Sequence, residues 1–297
     1  MSREDIEIKS YDEVTLRGWF YPHGPKAPVI IMSSGMAGIK EHFLDKFAER
    51  FQQAGFAVLV YDNRNWGASD GIPRNHTNHY EQIQDAHDVV TYASKRPDVD
   101  ESRIIQWGSS FSGGAAIIAG AVDPRIKAVI AQVPFVSGRA VRERLPLETL
   151  EKIYADRGHS TALNPSYIPI YPESLEQARE QPKSALLGTE ECWDYWQIIK
   201  NLKPEKENAI TLQTMFHTIR SEPSAFVDQI SPKPFFMAIA LHDSLIDPSL
   251  QINVFGKAQE PKELLKLDCG HFQVYQGEHF EVNVLAQIAF LKKHLYL

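Results

Sequence analysis

The chain has 297 residues, 43% hydrophobic and 23% charged, enough for one large α/β domain or two average ones around a sizeable core. A count of 31 Lys and Arg against 38 Asp and Glu leaves a net charge of −7, so neither nucleic acid nor an anionic membrane is an expected partner. Two cysteines exclude a disulfide framework, no apolar run is long enough to span a membrane, and Met1-Ser2-Arg3-Glu4-Asp5 has no apolar signal region, so the expected location is cytoplasmic.

Alternation over 6–9 and again over 14–20, around Tyr11-Asp12-Glu13, predicts an N-terminal antiparallel hairpin. From Pro28 onward the pattern changes. Short apolar runs at 28–32, 57–61, 103–107, 127–133, 234–240 and 264–267 alternate with helix-length segments. A strand apolar throughout is covered on both faces, as in a parallel sheet. Phe43, Phe47 and Phe51 share one face of a helix expected over 40–54, and Ile83, Ala86, Val90 and Ala93 share one over 80–94. The expected fold is α/β, a mostly parallel doubly wound sheet. Residues 137–231 break the alternation. They are charged, irregular and rich in proline, show no clear central strand, and far exceed an ordinary connection. The expected organisation is a core in two parts, 1–136 and 232–297, with 137–231 as an inserted helical cap.

The strand over 103–107 runs into Gly108-Ser109-Ser110-Phe111-Ser112-Gly113-Gly114 and then an apolar helix. A serine at such a strand-to-helix elbow is held in a strained conformation with its hydroxyl above the sheet. The residues two before and two after must be small, and Gly108 and Ser112 qualify. Ser112 stands where the usual G-x-S-x-G motif has glycine. The alternative is that Ser110 merely caps the helix. The turn Ser33-Ser34-Gly35-Met36-Ala37-Gly38 follows the first parallel strand, where a backbone N–H can face a developing oxyanion. Met36 is the expected donor, with Gly35 allowing the turn before it, and Phe111 is the second. No phosphate-loop or dinucleotide spacing occurs.

Asp243 follows the strand over 234–240, where catalytic groups gather. Asp247 competes, but it precedes Pro248 and reads as a helix cap. His271, in Asp268-Cys269-Gly270-His271-Phe272, follows the last strand and has the placement of a general base. Cys269 reads as a small buried residue, and His76, His79 and His87 form no metal-ligand set. Asp62 and Arg64 read as loop bridges. Trp193, Tyr195, Trp196 and Phe216 read either as an apolar acyl pocket or as the core of the cap.

The elbow Trp107 to Gly114, the run Ala131-Gln132-Val133-Pro134-Phe135, Cys269-Gly270-His271-Phe272 before Tyr275-Gln276-Gly277-Glu278, and the loop from Asp62 to Gly71 together resemble the α/β-hydrolase superfamily. Within it, the chain is similar to dienelactone-hydrolase-like serine hydrolases and to the fungal polyketide transferases and hydrolases of secondary-metabolite pathways. The resemblance implies a triad of Ser110, Asp243 and His271, with a capping insertion. It also implies a departure: that family usually has His-Gly where this chain has Ser34-Gly35, which leaves the Met36 donor in place. The expected activity is a serine hydrolase or acyltransferase cleaving an ester or thioester, of polyketide type or from another secondary-metabolite pathway, through an acyl-Ser110 intermediate. No cofactor and no metal is expected. The expected partners are a small-molecule or carrier-bound acyl substrate and, from symmetry alone, a second copy in a homodimer. The rival readings are a peptidase or carbon–carbon bond hydrolase with the same triad, and a non-catalytic binding protein on the same fold.

Overall fold

In the computed structural model, residues 3–203 and 205–295 are described. β1 (Glu4–Lys9) and β2 (Thr15–Tyr21) form the antiparallel hairpin, followed by β3 (Ala27–Ser33), α1 (Leu44–Gln53), β4 (Ala57–Tyr61) and α2 (His79–Ser94). Next come β5 (Val99–Ser109), α3 (Phe111–Val122) and β6 (Ile126–Gln132). The long connection that follows holds α4 (Gly138–Arg144), α5 (Leu147–Asp156), β7 (Tyr167–Pro169), α6 (Leu175–Glu180), α7 (Glu190–Ile199), β8 (Ala209–Thr211) and α8 (Gln213–Thr218). β9 (Phe235–Ala240), α9 (Pro248–Lys257), β10 (Lys262–Leu267) and α10 (Gly277–Leu295) complete the order.

The main sheet has eight strands in the order β1-β2-β4-β3-β5-β6-β9-β10, parallel from β4 to β10, with β2 antiparallel to β4. The central strands are apolar because both faces are covered: every residue of β3, β4 and β9 is buried. Phe47 and Phe51 of α1 pack with Phe280 and Phe290 of α10 on one face. Ala86 and Val89 of α2, Ala116 of α3 and Val254 of α9 pack on the other.

Two expectations change. The helix expected over 40–54 begins at Leu44, because Phe43 takes a left-handed φ of 69° and Lys40 is held elsewhere by its backbone and side chain. The connection expected to be a helical cap adds no strand to the main sheet but also contains the separate antiparallel pair β7 and β8, each three residues long and too short to show a period.

Candidate active site

Ser110 sits between β5 and α3 at φ 55° and ψ −119°, a conformation that costs an L-residue of the order of 1–3 kcal/mol and persists only when its surroundings fix it. The neighbouring strand does so: the Ser110 N–H donates to the Gln132 carbonyl and the Phe135 N–H donates to the Ser110 carbonyl, both at 2.8 Å. A Cβ on Gly108 would lie 2.0 Å from the Ser112 carbonyl oxygen, so only glycine fits there. Gly35 has a different role from the one expected. It takes no left-handed φ, which falls on Ala37 at 59°; a Cβ on Gly35 would instead meet the Ser110 Cβ at 2.7 Å. It is a glycine of close approach rather than of turning.

His271 comes from the loop after β10 and Asp243 from the loop after β9. His271 Nε2 lies 3.1 Å from Ser110 Oγ, and His271 Nδ1 lies 2.7 Å from Asp243 Oδ2. The other Asp243 oxygen accepts from the Leu245 and Ile246 N–H groups, each at 2.8 Å, which fixes the carboxylate's orientation. Burial alone would lower the His271 pKa. The charge and hydrogen bond of Asp243, with the charge of Glu191, outweigh it and hold the ring above its ordinary value of 6.5. Asp247 is the N-cap of α9, accepting from the Ser249 N–H at 2.9 Å, and its exposed carboxylate contacts Arg144 rather than His271. His242 forms an exposed pair with Asp268.

On the loop that lines the cavity with Ser110, the Met36 N–H has no acceptor among the described residues. The Phe111 N–H opens α3, where first-turn donors lack an intrahelical partner. The loop that carries Met36 is tied down by groups the motif did not reveal. Ser112 Oγ donates to the Ser34 carbonyl, and Asn63 Nδ2 donates to the same oxygen at 3.0 Å. The serine that replaces the last motif glycine is thus a tether between the elbow and the facing loop. Beneath it, Lys40 donates to Asp62 from its N–H and its Nζ, both at 2.7 Å. Arg64 bridges Asp85 and Asp12.

Ser110, His271, Gly35 and Met36 line a small, partly open cavity of about 40 Å³. Three side chains of the long connection, Tyr171, Leu187 and Tyr195, form part of its remaining wall. Of the four aromatics singled out in that segment, only Tyr195 reaches the cavity. Trp196 stacks on Tyr171 at 5.1 Å, Trp193 lies near Lys200, and Phe216 packs between Arg157 and Arg220. A larger open groove of about 860 Å³ lies outside, on the far side of Tyr195 and Phe272, which stack at 3.9 Å and 9° and border both spaces. The smaller space is the one that holds the serine and the imidazole. Glu191 of α7 was not singled out by any motif, yet it bridges the loops of both partners: it accepts from the Phe272 N–H at 2.9 Å and from Ser244 Oγ at 2.6 Å. Burial pushes the Cys269 thiol up to about 11 and the Cys192 thiol up to about 12, which makes both poor nucleophiles.

Among the described residues, no group of three or more His, Cys, Asp or Glu side chains is arranged to hold a metal ion, and no helix is long and apolar enough to cross a membrane. The family described as serine aminopeptidase, S33, matches residues 24–271. A polyketide transferase of Stachybotrys chlorohalonatus is 34% identical, over 99% of this chain and 98% of its own length. A thiohydrolase of Eupenicillium brefeldianum is 30% identical, over 98% of this chain and 94% of its own. The crystal structure of an α/β hydrolase from a Penicillium species superposes with a TM-score of 0.87 at 32% identity, covering both chains completely. Strand order, elbow and full-length similarity agree, and the chain belongs to the S33 serine aminopeptidase family of α/β hydrolases.

Proposed function

We propose that this hydrolase opens a thioester or ester through an acyl-Ser110 intermediate, on a polyketide-type or other secondary-metabolite acyl group that is free or carrier-bound. The observation that carries the reading is the chain of contacts from Ser110 Oγ through His271 to Asp243, at 3.1 and 2.7 Å. His271 Nε2 takes the serine proton as Oγ attacks the carbonyl. The resulting imidazolium is stabilised by Asp243. The oxyanion of the tetrahedral intermediate accepts from the Met36 and Phe111 N–H groups; such donors are worth about 100- to 1000-fold in rate each. His271 then protonates the leaving thiol or alcohol, and water or another nucleophile releases the acyl group by the reverse sequence. Residues 137–231 act as a cap whose aromatic wall decides how much water reaches the acyl-enzyme. The reaction is assigned to the cytoplasm.

Full-length similarity to a polyketide transferase and a thiohydrolase supports a thioester over a peptide bond. The test is intact mass after treatment with a fluorophosphonate probe, followed by turnover of a simple acyl thioester. One adduct is expected on the wild type and none on Ser110→Ala. An adduct on both proteins moves the nucleophile elsewhere, and an adduct on neither removes the acyl-serine step.

A further inference from the structure

The cavity beside Ser110 has one polar wall the mechanism above does not use. His42, in the turn between β3 and α1, is 2% exposed, and neither of its ring nitrogens has a hydrogen-bond partner among the described residues. It lines the 40 Å³ space together with Gly35, Met36, Ser110 and His271. Tyr195 meets its ring edge-on at 6.5 Å, and its N–H donates to the Ile39 carbonyl at 2.9 Å, so the residue is held in place. Buried polar atoms in native proteins are nearly always paired, and an orphan calls for a cause. Other buried histidines of this chain obey that rule. His79 meets Ser221 Oγ with one nitrogen and the Phe111 carbonyl with the other, at 3.1 Å, and His76 Nδ1 lies 2.6 Å from Thr211 Oγ1. His42 is the exception, and its site is the one a substrate enters. Burial, with the charge of Lys206, pushes its pKa down to about 3, so the ring is neutral near pH 7. A neutral imidazole offers one donor and one acceptor nitrogen.

We infer that His42 is a substrate-recognition residue that hydrogen-bonds an oxygen on the acyl chain, a 3-oxo or 3-hydroxy group. The inference rests on the thioester reading and deepens it. The small cavity sets the position: a group that faces His42 is close along the chain to the carbonyl at Ser110. Carbon 3 is where acyl chains built by condensation carry a keto or hydroxyl oxygen. A ketone uses the donor nitrogen, and a hydroxyl uses either. Two other hydroxyls on the cavity wall are already paired, Ser34 Oγ with the Ile39 carbonyl and Tyr275 with Ser109 Oγ, while Leu187, Leu245 and Phe272 present apolar surface. A saturated chain therefore leaves His42 unpaired, and a site built to bond an oxygen discriminates against the analogue that lacks it.

The test compares N-acetylcysteamine thioesters of butyrate, 3-hydroxybutyrate and 3-oxobutyrate on the wild type, His42→Phe and His42→Asn. The wild type is expected to prefer an oxygenated chain in kcat/KM. That preference falls roughly tenfold in His42→Phe and is partly restored in His42→Asn, which keeps a donor and an acceptor. A wild type with no preference, or a preference that survives in His42→Phe, overturns the inference while the butyryl rate upholds the thioester reading. A wild type that cleaves none of the three removes both. A second measurement needs no substitution at His42. Its ring ¹⁵N signals in Ser110→Ala should shift on adding the 3-hydroxybutyryl thioester and not the butyryl one; equal shifts, or none, overturn the inference.

Discussion

The elbow and the long connection between β6 and β9 meet at Ser110, and they reach it in opposite ways. The elbow is local. Ser110 is placed by its own strand and helix, by Gly108 and by two hydrogen bonds to β6 and the residues just after it. The long connection acts at a distance in sequence. Its contribution is a few side chains, Tyr171 and Leu187 from irregular segments and Tyr195 and Glu191 from α7, returned to the core loops. The difference teaches that the strained conformation of the serine is set by its own strand, helix and adjacent strand, whereas its imidazole partner, its walls and their support come from the whole fold.

Breaking the local side should have the largest effects. Ser110→Ala should lower kcat on the order of 10⁶-fold, with an unchanged circular dichroism spectrum. Asp243→Asn should cost about 10⁴-fold, because the amide stabilises the wrong tautomer of His271. Asp247→Asn, at the exposed cap of α9, should leave kcat unchanged; the opposite ranking of the two variants would move the acid to Asp247. The distant side is tested by Glu191→Ala, which removes the acceptor of the Phe272 N–H and leaves Ser244 Oγ with Thr189 alone. Misplacing His271 by even 1 Å is worth about 100-fold, and that loss is expected in kcat with KM nearly constant. A larger change in KM than in kcat would make the long connection a wall only.

The smallest effect sharpens the comparison through pH. His271 must be neutral to accept the serine proton, and its pKa is raised by Asp243 and Glu191 against the effect of burial. The acid limb of the kcat/KM profile should therefore lie above pH 6.5, with activity lost as the pH falls through it. Removing either carboxylate's charge lowers the His271 pKa, so the limb should move to lower pH in Glu191→Gln and further in Asp243→Asn. A limb that does not move in Glu191→Gln would confine that residue to a purely geometric part.

Much of the core was legible from residue order. Period-two and period-3.6 patterns place the strands and the first helices, because burial of one face or both writes itself into adjacent positions. The role of Asp247 as the cap of α9 was legible too, since Pro248 marks a helix start. Other features were not. The true role of Gly35 depends on the Ser110 Cβ, 75 positions away in the chain, and Ser112 acts as a tether only because the Ser34 carbonyl lies above it. No local pattern encodes a contact of that kind.

By itself, the sequence determined a mostly parallel sheet of alternating strands and helices and the small-residue frame of an elbow serine, because each depends on residues within a turn or two of one another. Tertiary structure alone decided the rest: that Glu191 bridges the loops of Asp243 and His271, that Tyr195 and Phe272 stand between groove and cavity, and that His42 is left unpaired beside Ser110. The physical reason is that burial and pairing of a polar group depend on what the fold brings against it, and those neighbours come from segments with no shared period.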